Sequence, residues 1–223
     1  MDKPNNKTVS AIISVLNEEK TVKNIVSQLL SFPLIHEVIC VIDNGSTDNS
    51  LSLLKTFDEK IHLLQIGQQN GKGNAMVEGI KKATGDIIAF FDADITNLTE
   101  YEIEKMLKPL QNNSVRVVLG YPKARHYFAK LFLPLTGERV YYKKDLIPHL
   151  ENMKNLGYGV EVYLNKQFLK NETAIVHLDN LLLLEKREKH GFIHSLRDEM
   201  RATMQLSREI GLELLNFHKK TTV

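Results

Sequence analysis

Four short apolar runs recur in the first 95 residues of this chain: Val9 to Leu16, Glu37 to Ile42, Ile61 to Ile66 and Asp86 to Phe91. Each is too short for a buried helix and ends in polar or glycine-containing sequence, so each reads as a buried strand. Between them the apolar period changes. Val22, Ile25, Val26, Leu29 and Leu30 fall at i, i+3, i+4, i+7 and i+8, one face of a helix, and Pro33 lies just past its end. Leu51, Leu54 and Phe57 line a second, short helix, and Met76, Val77 and Ile80 a third. Strands alternating with helices predict an α/β fold with a mostly parallel sheet and helices on both faces. Ligands of such sheets sit outside the carboxyl ends of the strands. The loops after Leu16, Ile42, Ile66 and Phe91 are therefore the ones to search for chemistry.

The alternation continues briefly. Thr99 and Glu102 have capping-box spacing, and Ile103, Met106, Leu107 and Leu110 form the apolar face of the helix they open. Val115 to Leu119 reads as another strand. From Tyr121 the pattern fades. The stretch Tyr121 to Leu146 holds six Lys/Arg, two acids and six Phe/Tyr, and the mixed-charge tail from Glu185 to Phe217 is predicted to be helical. A single domain over 1–223 is expected. At 43% hydrophobic residues the chain can bury a sizeable core, and a net charge of +2 gives no support for a nucleic-acid partner. Cys40, the one cysteine, lies in an apolar run; it excludes an internal disulfide and reads as a buried, inert thiol. The opening MDKPNNKTVS has no apolar signal region and no run of 18 apolar residues exists, so a cytoplasmic location is expected.

The strongest chemical signal is Asp92-Ala93-Asp94, directly after the fourth run. Carboxylates at i and i+2 on extended backbone point to one side, repel one another and favour a cation between them. Hard oxygen ligands suit Mg²⁺ or Mn²⁺. A solvated turn with two surface acids is the alternative. The second signal is Asp43 to Asp48 (DNGSTD), where Asp43 could accept an N–H from a nucleobase edge and Ser46 or Thr47 could cap the next helix. The alternative is simply a capped turn. In Asn70-Gly71-Lys72-Gly73-Asn74 the glycines would mark a turn that lets backbone and ammonium approach a phosphate or sugar; it is not a Walker A loop, and a solvated turn lysine is the alternative. In Asn17-Glu18-Glu19 the helix dipole explains Glu19, while Glu18 could face a nucleoside.

Taken in order, VSAIISVLNEE, VIDNGSTDNS, NGKGNAM and GDIIAFFDADI resemble the nucleotide-binding half of family 2 glycosyltransferases over residues 9–95. LPLTGERVYY at 133–142, GYGVEVYLN at 157–165 and VHLDN at 176–180 extend the likeness, and with GKGNA look most like the glucosyl-3-phosphoglycerate synthases and their mannosyl counterparts. The resemblance implies a GT-A (Rossmann-like) fold. Residues 1–120 would be the nucleotide-sugar-binding half, and 121–223 a less regular acceptor-binding half with C-terminal helices. It implies that Glu18 and Asp43 hold the nucleoside, and that Lys72 contacts the donor diphosphate or sugar. Asp92 would hold the ribose or a metal-bound water, Asp94 would bind Mg²⁺ or Mn²⁺ directly, and Glu161 would hydrogen-bond the transferred sugar. Gly137 would lie in the acceptor loop. The catalytic set is then Lys72, Asp94 and Glu161, the substrate donor a nucleotide-diphosphate sugar, with UDP favoured by family frequency.

Two departures stand out. The threonine-containing basic acceptor loop of the phosphoglycerate synthases has no counterpart in YPKARHYFAKLF, and the position of their metal-binding histidine falls near Leu183 in ungapped register. His177, His190 and His194 lie nearby but out of register. Lys123, Arg125, His126 and Lys130 alternate instead with Tyr121, Tyr127, Phe128 and Phe132. Positive charge with aromatic surface predicts an amphipathic or anionic acceptor, such as a glycolipid or polyprenyl phosphate, rather than 3-phosphoglycerate, and a chain that touches a membrane surface peripherally; a buried aromatic face with solvated charges is the alternative. A small-molecule acceptor and a homodimer stay open. No Glu-Asp base motif of the inverting enzymes is evident, which favours retention of configuration. The competing functions are an inverting transferase acting on a lipid-linked or cell-envelope acceptor, a sugar-phosphate nucleotidyltransferase and a non-catalytic nucleotide-binding module. VLNEEKTV is not the glycine-rich, Arg-containing loop of the nucleotidyltransferases, and the pair Asp92 and Asp94 argues against a non-catalytic module.

Overall fold

A computed structural model describes residues 7–67, 71–122 and 136–183. The predicted tail helices, and most of the basic, aromatic stretch after Tyr121, fall outside them. The four apolar runs form β1 (Val9–Val15), β2 (Glu37–Asp43), β3 (His62–Ile66) and β4 (Ile87–Asp92). They pair in parallel in the order β3-β2-β1-β4. The intervening helices are α1 (Val22–Ser31), α2 (Ser50–Lys55) and α3 (Gly71–Lys82). Two-sided burial explains why β1, β2 and β4 read as continuous apolar runs, whereas β3, at the sheet edge, is only partly buried. Ile13, Val15, Cys40, Ile42, Ala89 and Phe91 pack with Val22, Ile25, Val26 and Leu29 of α1. Ile12, Ile39, Val41, Ile88 and Phe90 pack on the opposite side with Met76, Val77 and Ile80 of α3. Cys40 is fully buried, and burial pushes its thiol well above the usual cysteine range, so it is inert as expected.

A short β5 (Ile95–Thr96) leads to α4 (Glu100–Leu107), whose N-cap Thr99 accepts from the Glu102 N–H at 3.3 Å. Then come β6 (Val117–Pro122), β7 (Arg139–Tyr142), helical turns α5 (Lys143–Leu146) and α6 (Leu150–Met153), α7 (Gly159–Gln167), β8 (Thr173–Leu178) and β9 (Leu182–Leu183). Among the described residues the sheet has seven strands in the order β3-β2-β1-β4-β7-β6-β8. It is mostly parallel as predicted, but β7 runs antiparallel between β4 and β6. This inversion shapes the site. Arg139 begins β7 opposite Phe90, so the Thr136-Gly137-Glu138 segment that precedes β7 enters at the edge where β1, β2, β3 and β4 end.

Candidate active site

The loops after β1 and β2 are laced together. Asn17, at a left-handed φ of 56°, accepts from the Thr47 N–H at 2.7 Å through Oδ1, and its own N–H donates to Ser46 Oγ at 3.3 Å. The Glu18 N–H donates to Ser50 Oγ at 2.8 Å, and the Glu19 N–H to Asp48 Oδ2 at 2.9 Å. Glu19 Oε2 accepts from the main chain and side chain of Asn49. Glu19 is thus a loop tie as well as a helix-start acid. Asp43 is buried, and its Oδ1 accepts from the Gly45 N–H at 2.7 Å, the geometry of a turn closed by its own aspartate. Glu18 lies just past the end of β1 and Asp43 ends β2, so the two stand at adjoining strand ends.

The glycines around Lys72 are a correction. They do not mark a turn: Gly71, Lys72 and Gly73 are the first residues of α3. Both glycines are needed because this helix start abuts the segment from Met153 to Gly157. A Cβ on Gly71 would lie 3.1 Å from Gly157 Cα, and one on Gly73 would lie 2.2 Å from the Met153 carbonyl oxygen. Gly71, at φ 70°, also needs the freedom of a residue without a side chain. That contact brings α3 beside α7 and places Lys72 over Glu161.

The Lys72 ammonium donates to Asp92 Oδ1 and to Glu161 Oε1, both at 2.7 Å. The Lys72 side chain is only 13% exposed. Burial works against its charge, yet the two carboxylates outweigh it and hold the group above the usual lysine range. Arg139, fully buried, lies on the far side of Glu161, with Nη2 3.7 Å from Oε2. Arg139, Glu161, Lys72 and Asp92 therefore form a chain of alternating charge. Gly137 closes its end: a Cβ there would lie 2.1 Å from Asp92 Oδ2. Four expected site residues, Lys72, Asp92, Gly137 and Glu161, are brought together. Arg139 was not anticipated; its signal was a basic residue heading the apolar Val140-Tyr141 pair.

The acidic pair differs from the expected geometry. Asp92 is the last residue of β4, whereas Ala93 and Asp94 form a turn into β5, so the two carboxylates do not share one extended segment. Asp92 is also opposed by Lys72 rather than by Asp94 alone. Among the described residues no three His, Cys, Asp or Glu groups converge as a complete metal site. Asp94 with an edge of Asp92 nonetheless fits Mg²⁺ or Mn²⁺, which commonly take one or two carboxylates and complete their shell with substrate phosphates and water. Leu183 pairs with Ile95, the residue after Asp94, so the position resembling a histidine ligand does reach the acidic turn, but with a side chain that has no donor atom. His177 is exposed on β8 at the sheet edge, opposite Tyr121. His190 and His194 lie outside the described residues.

The family model of glycosyl transferase family 2 matches residues 10–163, which span β1 through most of α7 and every residue of the charge chain. The chain belongs to glycosyl transferase family 2. A glucosyl-3-phosphoglycerate synthase of Mycolicibacterium smegmatis is 34% identical to this family 2 member over 123 residues, covering 52% of this chain and 40% of the relative. A UDP-N-acetylglucosamine–dolichyl-phosphate N-acetylglucosaminyltransferase of Methanococcus voltae is 31% identical over 132 residues, 51% of either chain. The family 2 chain thus spans about half or less of the length of these curated relatives. The crystal structure of a Mycobacterium tuberculosis glucosyl-3-phosphoglycerate synthase in complex with Mn²⁺ and UDP-glucose matches with a TM-score of 0.72 at 19% identity, covering 94% of this chain and 81% of that one. That likeness establishes the GT-A fold. Among the described residues no helix is long and apolar enough to cross a membrane.

Proposed function

We propose that this chain transfers a hexosyl group from a nucleotide-diphosphate sugar, with a UDP-sugar as donor, to a hydroxyl acceptor, with a divalent cation and with retention of configuration. The observation that carries the proposal is Lys72 held between Asp92 and Glu161 at the carboxyl edge of a family 2 sheet, one turn from Asp94. UDP-glucose is the first donor to test, since one relative named above is a glucosyl synthase and its M. tuberculosis counterpart was crystallised with UDP-glucose and Mn²⁺.

On this reading Glu18 and Asp43 face the nucleoside, and their interlaced loops hold that wall in place before the donor arrives. Asp94, with Asp92, holds Mg²⁺ or Mn²⁺, which would neutralise charge developing on the diphosphate leaving group. Lys72 spends two of its three N–H donors on Asp92 and Glu161, leaving one for the donor. Its main task is then to orient the two carboxylates. Glu161, opposed by Lys72 on one side and Arg139 on the other, accepts hydroxyls of the transferred sugar. Gly137 lets the acceptor-side loop close over Asp92.

The acceptor proposed is amphipathic or anionic. Its motive is the basic, aromatic sequence after Tyr121, together with a relative that works on dolichyl phosphate. A thermal-shift screen of nucleotide sugars with and without Mn²⁺ tests the donor, because a ligand that binds the native state raises apparent stability. UDP-glucose with Mn²⁺ should raise Tm more than either alone. Transfer from radiolabelled donor to polyprenyl phosphate, diacylglycerol, glycerate or 3-phosphoglycerate tests the acceptor. No shift with any nucleotide sugar would refute the transferase reading, and efficient turnover of 3-phosphoglycerate alone would refute the acceptor class.

A further inference from the structure

The Arg139 guanidinium is fully buried. Such a group is tolerated only where its donors are met and its charge is opposed. Its Nε donates to the Thr136 carbonyl oxygen, in the segment that carries Gly137. Its Nη1 reaches Asn165 Oδ1 at 2.8 Å, Tyr141 Oη at 3.1 Å and the Glu161 carbonyl oxygen at 3.5 Å. Its Nη2 lies 3.7 Å from Glu161 Oε2. Glu161 and Asn165 are four residues apart on α7, so they share one face of that helix. One planar side chain therefore grips two successive turns of α7 and the loop before β7 together.

The grip has a direction. Rotation of α7 about its axis would carry Glu161 away from Lys72 and Asn165 away from Arg139 at once. The Glu161 carboxylate is bound from both sides, Oε1 by Lys72 and Oε2 by Arg139. Two cations on one carboxylate fix its plane, whereas one would leave it free to swing. A lysine at 139 would supply the charge but not the fork, because an ammonium is a point donor and a guanidinium a rigid, planar one.

We infer that Arg139 is a positioning residue of the proposed transferase, which sets through Glu161 the face that recognises the transferred sugar and leaves nucleotide recognition untouched. The inference rests on the transferase reading and on Glu161 as the sugar-facing group. On the proposed function the nucleotide-facing residues come from the loops after β1 and β2, whereas Arg139 sits on β7, on the other side of β4.

Calorimetry of the full chain with Mn²⁺ tests it, using UDP and UDP-glucose as separate ligands. The variants are Arg139→Met, Arg139→Lys, Glu161→Gln and the double Arg139→Met/Glu161→Gln. In Arg139→Met the UDP-glucose affinity should fall about tenfold or more relative to the UDP affinity, the loss expected of a hydrogen bond to a charged group. UDP affinity itself should stay within about twofold of the unmodified chain. Arg139→Lys should recover part of the loss. In the Glu161→Gln background Arg139→Met should add little, since both changes act through one group. A parallel fall in UDP and UDP-glucose affinity, or additive losses in the double variant, would overturn the inference and make Arg139 a structural pin. Should Arg139→Met not fold, Arg139→Lys decides alone: an unchanged UDP-glucose to UDP ratio overturns the inference, a lowered ratio upholds it. Failure of the unmodified chain to bind either nucleotide would sink the transferase reading as well. Normal binding by the unmodified chain with an unchanged ratio in the variants would sink only the role of Arg139.

Discussion

Gly137 lies against the carboxylate of Asp92, so close that a Cβ added at 137 would fall 2.1 Å from Oδ2 and 2.2 Å from both Cγ and Oδ1. Asp92 is in turn fixed by Lys72 at 2.7 Å. No side chain fits there unless the carboxylate or the loop moves, and either movement breaks the alternating chain of charge that reaches Glu161.

If the chain is the transferase proposed above, Gly137→Ala should lower transfer by about 10²-fold or more, the scale of a displacement of roughly 1 Å at a reacting centre. Overpacking should cost about 1–3 kcal/mol of stability, leaving the protein folded at room temperature. Initial rates beside a thermal melt separate the two effects. A rate within about threefold of the unmodified chain would show that Asp92 can shift without consequence.

Asp94→Asn tests the cation. It removes a charge but keeps the shape of the turn between β4 and β5. If Asp94 is a direct ligand, the Mn²⁺-dependent part of UDP binding should drop by about tenfold or more, while UDP binding in chelator should not change. Titrations with and without Mn²⁺ measure both. Equal loss in the two conditions would assign Asp94 a role in the fold instead.

The first half of the chain was legible because β1, β2 and β4 are buried on both faces and so advertise themselves as apolar runs, while β3, partly buried at the sheet edge, still carries four apolar residues from Ile61 to Ile66. Val9 to Val15 and Ile87 to Asp92 are within a residue of their predicted bounds for that reason. The regular helical period gave α1 in the same way. Arg139–Tyr142 escaped notice because it opens on a charged residue, whose partners Thr136, Glu161 and Asn165 are brought together only by the fold. Glycines were the ambiguous signal. Gly71 and Gly73 read as a turn, and only the proximity of Met153 and Gly157 reveals why a helix begins with them. Glu161 was reached through resemblance rather than through pattern, since a lone acid in the first turn of a helix has a sufficient local explanation.

Glu37 should control the acid limit of stability. Its Oε1 accepts from Ser10 Oγ and the Thr84 N–H, both at 2.6 Å, from Thr84 Oγ1 at 2.8 Å and from the Gly85 N–H at 3.3 Å, while Oε2 lies 3.2 Å from His62 Nε2. Partial burial raises its pKa, but these hydrogen bonds outweigh it and hold the carboxyl below its ordinary 4.5. A carboxyl with a lowered folded pKa stabilises fully above its unfolded pKa, and that contribution is lost as pH falls through the folded one. Glu37→Gln should thus cost about 1 kcal/mol at pH 7, the difference between a charged and a neutral acceptor. It should also flatten the fall in Tm below pH 4.5. Melts from pH 7 to pH 3 give the answer, and parallel curves for the two proteins would exclude this carboxylate as the acid-sensitive group.

Asn17 carries the prediction that joins fold to donor binding most directly. It is the hinge between the loops after β1 and β2, with a left-handed φ of 56° and hydrogen bonds to both Ser46 and Thr47. The left-handed backbone costs an alanine about 1 kcal/mol more than an asparagine or glycine, and the lost acceptor leaves the Thr47 N–H without its side-chain partner. Asn17→Ala should lose about 2 kcal/mol of stability, and Asn17→Gly about half of that, because glycine removes the bond but not the backbone freedom. If the interlaced loops form the nucleoside wall, both variants should weaken UDP by several-fold and leave inorganic pyrophosphate binding in Mn²⁺ unchanged. Calorimetry with UDP and with pyrophosphate separates the wall from the cation site. Undiminished UDP affinity in Asn17→Ala would place the nucleoside elsewhere on the edge of the sheet.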